Sequence, residues 1–133
     1  MPQQFSPTLN EDRLIGGTQN FGSEKFAPSI TNLSGDYKLR GTIQRVGKIL
    51  HFAILIEGDG GAFTLASSVF TPPVKAYERT VNSVAGTTVF KGMAYHMGAA
   101  NTWIPQNDNG TFTLTNETRT GTSSWITGYY WVE

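Results

Sequence analysis

The chain has 133 residues, ten basic and ten acidic side chains, and no cysteine. Its length fits one domain with a core of its own, and the lack of cysteine excludes disulfides and thiolate sites. Charged residues make up only 15% of the sequence, which argues against a basic nucleic-acid surface or a basic membrane-binding helix. The 15 glycines and the many Thr, Ser and Asn residues are typical of an all-β protein rich in turns.

The first part of the chain carries little regular pattern, because prolines and glycines interrupt it. We expect an N-terminal arm or connector over residues 1–34, with one short strand near residues 26–30, followed by a β-sandwich domain over residues 35–133. The arm shows neither the basic start nor the apolar run of a signal peptide. No stretch approaches the ~20 apolar residues of a membrane span, so we predict no membrane insertion.

The stretch over residues 35–58, GDYKLRGTIQRVGKILHFAILIEG, predicts two strands joined by a tight turn at Val46-Gly47-Lys48. Apolar and polar residues alternate in the first strand, as in a strand with one solvated face. The second strand needs cover on both faces, inside a sandwich or against another subunit, and its His51 is expected to be a core or interface residue. The apolar residues of the second strand are Leu50, Phe52, Ile54 and Ile56 on one face and Ile49, Ala53 and Leu55 on the other.

Turn signals then divide the chain at short intervals. Residues 58–61, GDGG, predict a turn, and residues 69–77 predict an extended crossing loop, because Pro72 and Pro73 do not fit a central strand. A further turn is expected at residues 106–110, QNDNG, and a polar loop at residues 118–124. Strands are expected over residues 62–66, 78–84, 87–97 (with a bulge at Gly92), 102–104, 111–115 and 124–133. Short strands at this spacing predict an all-β, antiparallel, jelly-roll-like sandwich.

Patterns for metal, cofactor or catalytic chemistry are weak. The two histidines, without cysteine, do not make a zinc pattern. Asp59 and Asp108 lie in turns that offer oxygen ligands but lack the spacing of a calcium loop. No serine stands in a nucleophile elbow, and no glycine-rich phosphate loop is present. We predict no metal, no cofactor and no catalytic residue.

The aromatic residues suggest a binding function. All three tryptophans lie in the last third of the chain, and large aromatic residues commonly fill cores and interfaces. They also stack on the C–H faces of sugar rings, while neighbouring amides and carboxylates bond the hydroxyls. Both ingredients occur together in one stretch, which is our predicted ligand site: Tyr95, His96, Asn101, Trp103, Gln106, Asn107 and Asp108.

Residues 36–73 resemble the C-terminal domains of bacteriophage tail fibres and tailspikes. Arg45-Val46-Gly47-Lys48 is similar to the turn of that family, and Pro72, Pro73 and Tyr77 are similar to its proline-and-aromatic crossing loop, without the glycine before the tyrosine. The resemblance implies a sandwich at the tip of a fibre, a homotrimer, and a location on the virion, outside the cell after lysis. It also implies recognition of host-surface polysaccharide; binding residues vary between hosts, so it assigns none here.

Three functions follow from these observations. The first is a non-catalytic tail-fibre or tailspike tip that recognises a host cell-surface glycan. The second is a structural trimerisation or capping domain of a fibre, with the aromatic residues inside its interface and no ligand. The third is a glycan hydrolase or esterase module, which would need two converging carboxylates or an activated nucleophile.

Overall fold

The computed structural model describes residues 23–133; residues 1–22, which make up most of the predicted arm, lie outside this range. The described residues form antiparallel strands and no helix, so the predicted all-β, antiparallel sandwich class is confirmed. The strands are β1 Glu24–Phe26, β2 Ser29–Ile30, β3 Leu33–Val46, β4 Ile49–Leu65, β5 Val69–Thr71, β6 Glu78–Val81, β7 Val84–Thr88, β8 Met93–Met97, β9 Asn101–Pro105, β10 Phe112–Thr113, β11 Glu117–Thr120 and β12 Ser124–Trp131.

Residues 23–133 form two packed sheets and a separate hairpin. The large sheet has seven strands in the order β1-β3-β4-β12-β8-β9, with β11 paired to the far half of β4. The small sheet has the order β10-β5-β2, and β6 and β7 form the hairpin. Both β1 and β2 precede residue 35, the predicted start of the sandwich, and both are paired with its strands.

The β3–β4 hairpin is the longest pairing in the sheet, and its predicted tight turn is present. Gly47 occupies this turn with a φ of +62°, a conformation that a residue with a Cβ adopts only at a cost. One of the two predicted apolar rows of β4, from Leu50 to Ile56, is buried in the core and at most 3% exposed. On its other face His51 and Ala53 are exposed, so His51 is not a core residue.

A cluster of aromatic rings joins the two sheets. Phe52 of β4 lies 5.1 Å from Phe70 of β5 and 5.3 Å from Phe112 of β10, measured between ring centroids. Gly128 of β12 makes room for this ring, because a Cβ there would lie 2.8 Å from the Phe52 side chain. Tyr130 is fully buried beside them, and its hydroxyl donates a 2.7 Å hydrogen bond to the Val74 carbonyl. Burial raises the pKa of this hydroxyl.

The glycine-rich residues 58–61 are not the predicted turn, because β4 continues through them. Gly58 stands opposite Tyr37, whereas Phe63 stands opposite Gly35, so β4 carries extra residues between these two pairs. Gly60, with a φ of +100°, lies within the irregular segment. The glycines therefore form a bulge at which β4 leaves β12 and turns to β11.

The predicted polar loop over residues 118–124 is also wrong. Its first half belongs to β11, which pairs with β4 from Ala62 to Leu65. The hydroxyls of Thr118 and Thr64 lie 3.1 Å apart across this pair. Polar threonines suit such an exposed strand, and its partner is distant in sequence, so local composition alone resembles a loop.

Three further boundaries differ from the prediction. The first residues of the expected crossing loop form β5, the central strand of the small sheet, and Pro72 follows directly after it. The strand predicted over residues 78–84 is the β6–β7 hairpin, whose turn residues Asn82 and Ser83 both have positive φ. Gly92 lies between β7 and β8 rather than in a bulge, and a Cβ there would lie 1.8 Å from the Tyr129 carbonyl oxygen.

Candidate functional site

The large sheet presents a continuous face away from the small sheet, here called the outer face. Side chains alternate along each strand, so β12 buries Ile126 and Tyr130 and turns Trp125, Tyr129 and Trp131 outward. The registers align these rings with neighbours on β4, β8 and β9. The outer face carries Ile49, His51, Ala53, Leu55, Met93, Tyr95, Met97, Asn101, Trp103, Pro105, Trp125, Thr127, Tyr129 and Trp131.

Three of the seven predicted ligand residues share this face. Tyr95 of β8 stands directly opposite Trp103 of β9, and their ring centroids are 4.5 Å apart with the planes inclined by 46°. Trp103 is 66% exposed. Asn101, on the same side of β9, is also exposed and supplies an amide beside the rings. Together they form an aromatic platform with a polar neighbour at the sheet edge.

His96 points inward and belongs to a buried hydrogen-bonded cluster. Its Nδ1 accepts a 3.1 Å bond from the Thr115 amide, so the proton lies on Nε2, which donates to Glu117 over 2.9 Å. Ser124 donates a 2.5 Å bond to the same carboxylate, and the Ala99 amide donates one of 2.8 Å. No surface ligand reaches His96 in this arrangement, because its side chain is fully buried.

The charge of Glu117 is held by its hydrogen bonds. Burial of this carboxyl opposes ionisation, but the bonds from Ser124, the Ala99 amide and His96 outweigh it and lower the pKa below its ordinary value. Although serine, histidine and glutamate meet here, Ser124 donates to Glu117 and not to His96. The cluster therefore lacks the serine–histidine bond of a nucleophile and its base.

The last three predicted ligand residues lie in the loop after β9. Gln106 is buried, accepts a 2.9 Å bond from the Gly92 amide and donates one of 2.9 Å to the Gly110 carbonyl. Asn107 bonds the hydroxyls of Thr111 and Thr113. Asp108 is exposed and paired with Lys91. These residues hold their own loop in shape, and the structure does not bring Gln106 to the aromatic platform.

A second aromatic feature lies at the far end of the outer face. Tyr77 and Phe90 stack with centroids 5.6 Å apart and an angle of 14°, and Phe90 meets Trp131 at 6.0 Å and 51°. With Lys48 and Val132 these rings line a cleft of about 260 Å³. The residue pattern did not predict this cleft, because its walls come from parts of the chain that are distant in sequence. These are the β3–β4 turn, the two segments beside the β6–β7 hairpin, and the end of β12.

Comparison with protein-family models, with curated proteins and with solved structures finds no match for this chain. Within residues 23–133, no three His, Asp or Glu side chains gather as a metal site would require. The same residues include no helix with the length and apolar character needed to cross a bilayer.

Proposed function

We propose that this domain is a non-catalytic, glycan-binding tip module of a bacteriophage tail fibre or tailspike, which recognises polysaccharide on the host cell surface. The observation that carries the proposal is the exposed Trp103 ring beside Tyr95, with the Asn101 amide next to them. An indole ring exposed to water is unfavourable in free energy. Tryptophan is also enriched among the residues that contribute most of the binding energy at interaction sites.

The platform has the chemistry of a sugar subsite. The partly positive C–H groups of a sugar ring pack on the negative faces of aromatic rings, and the Asn101 amide can both donate to and accept from hydroxyls. The two rings stand on paired strands and contact each other, which limits the side-chain entropy lost on binding. The placement at the tip of a fibre rests on the resemblance carried by residues 36–73.

Replacing Trp103 with alanine tests the proposal. Binding of bacterial surface polysaccharides on an array, followed by titration calorimetry of the hits, should weaken at least about tenfold in Trp103→Ala. Val84→Ala, which truncates another exposed apolar residue on the β6–β7 hairpin, is the matched control and should bind as the unchanged protein does. Equal binding by the Trp103 variant, with its fold intact, would remove the platform from the site.

A specific observation also favours a structural role as a fibre trimerisation domain. Trp125, 46% exposed at one end of β12 on the outer face, lies between Leu55 and Met97 on the neighbouring strands. This apolar row is suited to contact with sister chains. Light scattering after size exclusion tests it, since a trimer has three times the 14.5 kDa mass of one chain. Trp103 stands on the edge strand, so both functions are compatible in one molecule.

A further inference from the structure

We infer that the cleft of Lys48, Tyr77, Phe90, Trp131 and Val132 is a second sugar subsite, selective for an acidic sugar that carries a carboxylate. The inference rests on the proposed glycan-binding function and specifies the chemical class of the glycan. The cleft volume, about 260 Å³, suits one sugar ring or a unit of similar size.

Three aromatic rings form the walls of the cleft. Trp131 and Phe90 meet at 51°, so their faces form a corner in which one side of a sugar ring can pack. Phe90 is 54% exposed, and its ring is backed by the stacked Tyr77. Two backbone hydrogen bonds hold the walls in place: from Tyr77 to the Trp131 carbonyl at 2.8 Å, and from Val132 to the Lys48 carbonyl at 2.9 Å.

Lys48 gives the cleft its charge selectivity. It is exposed at the rim and has no carboxylate partner within residues 23–133, whereas Lys38, Lys75 and Lys91 are each paired with one. The acidic Glu78 and Glu133 line the neighbouring cavity, together with Lys75. An anionic group in the aromatic corner would therefore meet an unpaired ammonium group.

The cleft and the platform lie on one track. Trp103 is aligned through Tyr95 with Thr127 on β12, four residues before Trp131. The Cα atoms of Trp103 and Trp131 are two strand spacings apart across the sheet and four residues apart along the strand. These offsets give a separation of about 16 Å. Tyr129 of β12 lies between them on the outer face, and its ring contacts His51 of β4, on the far side of β12, with ring centroids 6.3 Å apart. A short oligosaccharide can bridge this distance, so one chain can occupy both subsites.

The test compares acidic polysaccharide fragments with their carboxyl-reduced counterparts, which differ only in the carboxylate. The unchanged protein should bind the acidic form about fivefold more tightly, as expected for a partly solvated ion pair. Lys48→Met should bring the ratio close to one, and Phe90→Ala should lower it by weakening the acidic form. Lys38→Met, which removes an exposed lysine of β3 paired with Asp59, should leave the ratio unchanged. Added salt should reduce the preference in the unchanged protein.

The outcomes separate the two proposals. If both forms bind equally, or if Lys48→Met keeps the preference, the acidic subsite is wrong, while a loss of binding in Trp103→Ala still supports the platform. If Trp103→Ala weakens both forms and keeps their ratio, the platform contributes affinity and the cleft sets the preference for the carboxylate, as inferred. If the unchanged protein binds no member of the panel, both proposals fail.

Discussion

At the scale of single residues, the Glu117 cluster ties together parts of the chain that are distant in sequence. The carboxylate accepts bonds from β8, from the β8–β9 turn and from β12, while Glu117 itself stands on β11. A buried carboxylate is tolerated when donors surround it, and a lost acceptor leaves several buried donors without partners. The cluster is therefore a stabilising element of the fold.

Glu117→Gln should lower the free energy of unfolding at neutral pH by about 1–3 kcal/mol, because one amide cannot accept all these bonds. The pKa of Glu117 is lowered in the folded state, so the unfolded chain binds the proton more readily. Its contribution is complete above the ordinary value of 4.5 and is lost as the pH falls below that value through the folded one. The variant should show a shallower loss of stability with falling pH in urea unfolding.

Glu78→Gln is the matched control for this experiment. Glu78 pairs with Lys75 at 2.7 Å, but on the surface, where an ion pair contributes little. Its variant should stay within about 0.5 kcal/mol of the unchanged protein. A Glu117 variant with the same stability and the same pH dependence as this control would contradict the structural role of the cluster.

The predicted ligand site shows what residue patterns can and cannot decide. Tyr95 and His96 are neighbours on one strand, so alternation alone sends them to opposite faces, and only one could join a surface site. The exposed pair of Tyr95 and Trp103, by contrast, depends on the register between β8 and β9. The inward role of Gln106 depends on its bonds to Gly92 and Gly110, which no local pattern shows.

At the scale of elements, two tight turns differ in how well a residue suits the positive φ of its backbone. Gly47 has a positive φ in the β3–β4 turn and no Cβ that would strain it. Ser83 has a Cβ and a φ of +67° in the β6–β7 turn. Gly47→Ala should therefore cost about 1 kcal/mol, and Ser83→Gly should gain a similar amount. Urea unfolding measures the first change, and hydrogen exchange of the β6–β7 amides measures the second. If both substitutions changed stability by the same amount in the same direction, this interpretation of the turns would be wrong.

Strands with a clear alternation were predicted from sequence, and those defined by distant pairing were not. The β3–β4 hairpin has a local turn and a period of two, so its turn and the pairing of its two strands followed from the residues, although β4 continues to Leu65 beyond the predicted end. In β11 four polar residues become a strand only because the far half of β4 lies beside them. The same long-range pairing keeps the glycine-rich bulge within β4, where glycine composition alone indicates a turn.

At the scale of the whole molecule, the outer face has apolar rows on its central strands and the aromatic platform on its edge strand. In the proposed trimer, the row of Leu55, Trp125 and Met97 at one end of β12 is the part expected to meet a sister chain. Burying such a surface gains roughly 25 cal/mol per Å² of apolar area, and patches of this kind mark contact sites. If Trp125, in the middle of this row, were replaced by a charged residue, association would bury that charge without a partner.

Trp125→Glu should therefore dissociate the proposed trimer, while Trp103→Ala should leave its mass unchanged. Trp125 points outward and Ile126 beside it fills the core, so the charged variant should still fold as a monomer. Light scattering gives the mass, and the thermal midpoint of the unchanged protein should rise with concentration, as for any assembly linked to folding. The thermal midpoint of Trp125→Glu should not depend on concentration. A mass of one chain for the unchanged protein at every concentration would contradict the trimer and would leave the row of Leu55, Trp125 and Met97 open to the glycan instead.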